Sequence, residues 1–321
     1  MNLLVTGAAG FIGSHVCERL IKKGNHVIGL DNFDNFYPRK IKEFNLTDLN
    51  QSKSFQFYEA DIRDSNALNT IFASNKINVV MHLAAKAGVR PSIDSITDYY
   101  DVNINGTVAL LESMRINEVT KMLFASSSSV YGNNTKVPFS ENDSVDNPIS
   151  PYASTKKSGE LLCHVYSHLY NFDITCLRFF TVYGPRQRPD LAIHKFTKLI
   201  DEGNPIPFYG DGSTSRDYTY IDDIVNGINC ALDHLDKYRI YNLGESQVIN
   251  LKLLIETIEN TLDKKATMKQ YPLQQGDVNK TYADISKAKS EIGYAPKVDF
   301  KTGIKKFAEW YNNNKAILND K

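Results

Sequence analysis

Four cysteines in 321 residues, none close to another in sequence, exclude a disulfide framework and a thiolate zinc site. Cys17, Cys163, Cys176 and Cys230 read as reduced packing thiols of a cytoplasmic protein. Neither sign of charge is in excess, since Lys+Arg and Asp+Glu both number 37. A nucleic-acid or membrane surface needs a clustered basic excess, so neither is expected as a partner. No apolar run approaches the roughly 18 residues that would span a bilayer. The apolar start at Leu3-Leu4-Val5 has no basic lead and no long continuation, so it is not read as a secretory signal. Repeats and low-complexity tracts are missing too. What is left is a globular composition, 42% hydrophobic, long enough for two lobes. A small anionic or neutral ligand held by a few local charges suits it.

The first half alternates strand and helix patterns. Strands are expected at Asn2–Thr6, His26–Leu30, Phe55–Glu59, Val79–Leu83, Lys121–Ser126 and Ile174–Phe179. Helices are expected at Phe11–Lys23, Ser65–Ser74, Ile96–Arg115 and Tyr152–Leu169, with Gly24-Asn25 closing the first. Strands apolar on both faces and separated by helices imply an α/β, doubly wound parallel sheet of Rossmann type. The second half carries Pro185, Pro189, Pro205, Pro207 and Pro272, with Gly203, Gly210 and Gly212. That composition suits a smaller, looped α/β substrate-binding lobe packed on the sheet, with helices at Ala192–Asp201, Ile221–Leu235 and Leu251–Leu262. The expected division is 1–180 for a dinucleotide-binding domain and 181–321 for the lobe. A strand at Ile240–Leu243 is expected to return the chain to the first domain.

The turn Gly7-Ala8-Ala9-Gly10-Phe11-Ile12-Gly13 lies between a strand and a helix. The bare spacing also fits an ordinary strand–turn–helix. Its context favours a pyrophosphate cradle, because the glycines let backbone approach closely and the helix start offers free N–H groups. Asp31, 18 positions after Gly13, ends the second strand and suits a ribose hydroxyl while repelling a 2′-phosphate. This points to NAD over NADP. Asp61-Ile62, after the third strand, stands where an adenine could be held.

Tyr152 and Lys156 are four apart behind Pro151, so a helix would set both on one face. Such pairs are also common on solvated faces. A tyrosine with a pKa of about 10 becomes a base near pH 7 only if roughly 4 kcal/mol is supplied. A neighbouring ammonium and a cationic nicotinamide ring are the suppliers to hand. The run Ser126-Ser127-Ser128-Ser129-Val130-Tyr131-Gly132 follows a strand, at the edge where α/β sheets bind ligands. It also fits a plain polar strand-to-loop junction. His164 and His168 share the i,i+4 spacing of metal ligands, but no third ligand is evident and helix packing explains them better, so no metal is expected.

With these motifs in hand, the chain resembles the extended short-chain dehydrogenases/reductases, and among them the nucleotide-sugar 4-epimerases. The resemblance runs nearly end to end through GAAGFIGSH, HLAA, ASSSSVYG, PYASTKK, LRFFTVYGPRQRPD, GSTSRDYTYIDD and TYADISKAK. It implies that Ser127 is the hydroxyl partner of Tyr152 and that Lys156 holds the nicotinamide ribose. It implies a cofactor set of Asn32, Leu83, Ala84, Ala85, Lys86, Asn103 and Phe180 beside the glycine turn. It implies that Thr181, Tyr209 and Arg216 face the sugar and diphosphate. Related dehydratases carry an Asp-Glu pair, and decarboxylases a Glu, where this chain has Ser128 and Ser129. The implied activity is 4-epimerisation of a UDP-sugar, by oxidation at C4, rotation of the keto intermediate and re-reduction, with tightly bound NAD regenerated each cycle. The family usually pairs two long helices per subunit, so a homodimer is expected.

Thr181 replaces the Asn of many hexose epimerases, and the pair Gln274-Gln275 stands where they often have Arg. Both departures point to UDP-glucuronate over UDP-glucose or UDP-N-acetylglucosamine. A uronate oxidised at C4 is a β-keto acid, so its carboxylate must be held. Ser128, Thr181, Arg90 and Arg188 are the candidates, and either arginine could bind the diphosphate instead.

Overall fold

In the computed structural model, residues 1–272, 278 and 280–319 are described; the Gln274-Gln275 pair lies outside them. The chain runs β1 (Asn2–Thr6), α1 (Phe11–Lys22), β2 (His26–Asp31), α2 (Arg39–Asn45), β3 (Phe55–Glu59), α3 (Ser65–Ser74) and β4 (Val79–His82). It continues through α4 (Val89–Asp94), α5 (Ile96–Tyr100), a π-helical turn (Asp101–Asn105), α6 (Gly106–Ile116), β5 (Lys121–Ser127), α7 (Pro151–Tyr170) and β6 (Asp173–Phe179). The remainder is β7 (Thr181–Tyr183), α8 (Ala192–Asp201), β8 (Ile206–Tyr209), β9 (Ser215–Tyr220), α9 (Ile221–Asp233), β10 (Tyr238–Leu243), β11 (Val248–Asn250), α10 (Leu251–Leu262), β12 (Met268–Tyr271), α11 (Ser286–Ile292) and α12 (Phe300–Asn319).

Seven strands form one all-parallel sheet in the order β10-β6-β5-β4-β1-β2-β3. Alternation along each strand loads both faces. Leu3 and Val5 of β1 belong to the apolar cluster that includes α1 and α9, while Leu4 belongs to the one that includes α3, α6 and α7. A doubly wound α/β sheet follows. Between β1 and β4 the strand order reverses direction, which opens a crevice at the strands' C-terminal ends. β10 comes from the second half of the chain and closes the sheet edge on β6. A three-stranded sheet (β11-β9-β7) and a two-stranded one (β12-β8) build the second lobe.

Two departures from the sequence reading matter. The expected helix Ile96–Arg115 is present and runs without a gap to Ile116, but its middle, Asp101–Asn105, winds as a π-helical turn that carries Asn103. The second lobe is also less looped than its prolines suggested, since α12 alone spans 20 residues. Among the described residues, no helix is long and apolar enough to cross a membrane.

Candidate active site

The turn after β1 is compact for a steric reason. Gly7 has φ +73°, and a β-carbon there would lie 2.8 Å from the Ala84 nitrogen. At Gly13 a β-carbon would lie 2.0 Å from the Gly7 oxygen, so α1 could not come so close to the turn with any larger residue. The α1 N-terminus is capped by Gly10 with no side-chain hydrogen bond. Its first-turn N–H groups, at Phe11, Ile12 and Gly13, therefore border the crevice uncapped, as an anion site requires.

That crevice is a cavity of about 470 Å³, the size of a small-ligand site. Gly7, Gly10, Phe11, Ile12, Gly13, Asp31, Asn32, Ile62 and Leu83 to Lys86 line one end. The Asp31 carboxylate accepts from Ala9 N at 3.2 Å and Phe33 N at 2.9 Å. Burial pushes its pKa up, opposed by the Lys42 ammonium and those two N–H groups. Each oxygen keeps a lone pair for a ribose hydroxyl. The donor set, the bare helix start and the glycine clearance fit a dinucleotide.

The other end holds Ser127, Ser128, Tyr152, Lys156, Phe180, Thr181, Arg188 and Arg216. Ser150 caps α7 by accepting from Ala153 N, and Pro151 occupies its first turn. Both features fix the helix start, and Tyr152 and Lys156 follow on one face. The Lys156 ammonium donates to the Ala125 carbonyl at 2.7 Å and stands 6.0 Å from the Tyr152 ring centre. Burial lowers its pKa to about 8. Burial raises the Tyr152 phenol, while hydrogen bonding from Ser127 and the Arg188 charge pull it down. A hydroxyl, a phenol and an ammonium thus converge beside the dinucleotide cradle, an arrangement suited to moving a proton while a hydride leaves the same carbon.

Among the described residues, Asp61, Asn103, Arg90 and Tyr209 lie outside this lining. Asp61 accepts from the Arg63 backbone and side chain and from Asn32, and the Arg63 fork lowers its pKa to about 2. Asn103 acts from behind. Its amide accepts from Lys86 N at 2.8 Å and donates to Lys86 O at 2.9 Å and Thr155 Oγ1 at 3.0 Å. It thereby ties the loop after β4 to the helix that carries Lys156. The Arg90 guanidinium lies over the Tyr209 ring at 5.3 Å. His164 and His168 stack ring on ring at 6.5 Å, and His164 meets Tyr238 edge-on.

The sequence reading missed several lining residues. Phe36, Tyr37 and Lys42 border the cofactor end, in a stretch with no motif to flag them. Ser129 also lines the cavity, and its buried hydroxyl has no hydrogen-bond partner among the described residues. Its place in the serine run was the available signal. A buried, unsatisfied hydroxyl beside a cavity is a natural contact for a polar ligand.

A family model described as GDP-mannose 4,6 dehydratase matches residues 4–307. A UDP-glucuronate 4-epimerase of Thermodesulfobacterium geofontis is 45% identical over 98% of this chain and 97% of its own. The crystal structure of a Bacillus cereus UDP-glucuronic acid 4-epimerase, in complex with UDP-glucuronic acid and NAD, superposes with a TM-score of 0.93 at 39% identity, covering 98% of this chain and 99% of that one. A Thermotoga maritima UDP-glucose 4-epimerase structure, with UDP-glucose, gives 0.89 at 34% identity, covering 98% of this chain and 100% of that one.

Proposed function

This chain belongs to the GDP-mannose 4,6-dehydratase-like family of extended short-chain dehydrogenases/reductases, and from that footing we propose that it is an NAD-dependent UDP-sugar 4-epimerase acting on UDP-glucuronate. The observation that carries the reading is the convergence of Ser127, Tyr152 and Lys156 on the cavity that the Gly7–Gly13 turn opens. NAD, when bound, takes the C4 hydride and returns it to the opposite face. Tyr152 accepts the O4 proton and gives it back. Ser127 hydrogen-bonds the same oxygen. Lys156 holds a ribose hydroxyl and supplies positive charge that favours the phenolate. Arg216 binds the diphosphate, the pivot about which the keto sugar turns. Ser128, Ser129, Thr181 and Arg188 hold the uronate carboxylate. No carboxylic acid stands at 128 or 129, so the serine run offers no acid to expel water from the sugar.

The purified protein, given UDP-glucuronate without added NAD, is expected to yield an equilibrium mixture with UDP-galacturonate by NMR. Net NADH release, a dehydrated sugar or stoichiometric loss of carbon dioxide would overturn the reading. The likeness to a UDP-glucose 4-epimerase supports a second reading, a hexose epimerase, which UDP-glucose in the same assay would reveal.

The homodimer belongs to the same proposal. Leu161, Val165 and Leu169 follow at i,i+4 steps along α7 and are 55%, 45% and 59% exposed, with Ile96 of α5 and Ile116 of α6 also exposed. A second copy of the same helices would cover this stripe. Val165→Glu is expected to shift the protein from dimer to monomer in sedimentation; a monomeric wild type would remove the proposal.

A further inference from the structure

The Arg188 guanidinium is held from several sides. Asp190 accepts from its Nε at 3.0 Å and from its Nη2 at 2.8 Å, a two-point fork. The Phe36 ring centre lies 5.0 Å from the guanidinium carbon. Nη2 lies 3.8 Å from where a Gly88 β-carbon would stand, so the backbone there runs close beside the guanidinium. Nη1 is the nitrogen that Asp190 does not engage. Arg188 lines the cavity together with Tyr152, whereas Asp190 is exposed and stands outside the lining. An arginine side chain left to itself samples many rotamers. A fork to one carboxylate removes much of that freedom before any ligand arrives.

We propose that Asp190 is a positioning residue for Arg188, locking the guanidinium plane so that Nη1 meets the C5 carboxylate of bound UDP-glucuronate. This rests on the epimerase reading above. The keto intermediate breaks down when its C5–C6 bond aligns with the C4 carbonyl π system. The electron pair of that bond then moves into the carbonyl as an enolate, carbon dioxide leaves, and a solvent proton at C5 completes a UDP-4-keto-pentose. A guanidinium of fixed plane holds the carboxylate away from that alignment. Asp190 also balances the Arg188 charge, so the grip depends on hydrogen-bond direction more than on net charge.

The test uses NAD-loaded wild type, Asp190→Asn and Asp190→Glu. Calorimetry gives the affinities for UDP-glucuronate and for UDP, and NMR gives the partition between UDP-galacturonate and the decarboxylated product. Asp190→Asn is expected to weaken UDP-glucuronate about tenfold, the size of one charge-assisted hydrogen bond, with a much smaller change for UDP. The decarboxylated fraction rises with it. Asp190→Glu, which can re-form the fork, recovers part of both. Equal weakening of the two ligands, or no change in either, overturns the proposal. A wild type that binds UDP-glucuronate without epimerising it sinks the epimerase reading alone, because the affinity comparison still reports on Asp190.

Discussion

Tyr152→Phe is expected to lower epimerase turnover by about 10²–10⁴-fold, the usual contribution of a positioned acid–base group, and to leave bound NAD in place. The substitution removes one oxygen and keeps the ring that meets Tyr99 edge-on at a centroid distance of 6.3 Å. Packing should therefore survive, and the loss reports the proton transfer alone. A phenol with a pKa of about 10 is ionised in roughly one molecule in a thousand at pH 7. Burial at this site makes that fraction smaller still. The proposed base role therefore needs the phenolate to be favoured by its surroundings, and the Ser127 hydrogen bond and the Arg188 charge already pull in that direction. Single-turnover assays and the absorbance of the bound cofactor check the outcome. Turnover within threefold of wild type would remove Tyr152 as the base.

Breaking the buried pair behind the site should have the largest effect on stability. Glu160 lies on α7 one turn after Lys156, and both its oxygens accept from Arg178 of β6, at 2.8 Å and 2.9 Å. Ser126 Oγ donates to the same carboxylate at 2.7 Å. Arg178 also donates to the Tyr131 hydroxyl, which donates to Asn242 of β10. Both charged side chains are almost fully buried. Removing either one strands a charge in the interior and is expected to cost about 3–5 kcal/mol. Glu160→Ala and Arg178→Met should each lower the denaturation midpoint. The double variant Glu160→Met with Arg178→Met should be more stable than either single change, because no unpaired charge remains. Singles within 1 kcal/mol of wild type, an order of magnitude typical of exposed pairs, would show that water reaches the pair.

Much of this architecture was legible where one physical signal dominated. Apolar runs marked β1 and β3, and helical periodicity marked α3, α8 and α10 to the residue. The π-helical turn was hidden because one extra residue in a turn barely disturbs a 3.6-residue pattern. It mattered for Asn103, which the resemblance put beside the cofactor and which the turn sets against the backbone of Lys86 in the loop that lines the cavity. β7 escaped because it has only three residues and β9 because its SRDYTY stretch is mostly polar, and their pairing is set by the lobe and not by local propensity. α12 escaped behind the weight given to prolines and glycines earlier in that half. At the site, chemical types at motif spacing led directly to Tyr152, Lys156 and the glycine turn. Lys42 and Phe36 reach the cavity only through the path of the loop after β2, which no spacing rule encodes. The Arg188–Asp190 fork spans two residues, yet a sequence pattern does not say which way an arginine turns.

The edge strand β10 has a consequence for how this enzyme could change. Tyr238 to Leu243 lie in register with Ile174 to Phe179, so the seven-stranded sheet is completed by a segment embedded in the second half of the chain. Exchanging that half for another as a cassette would strip the sheet of its seventh strand and bare the backbone of β6. New sugar preferences therefore have to arise by piecemeal substitution around the cavity. Recombination between distant relatives would succeed only where the crossover keeps both partners of this strand pair from one parent.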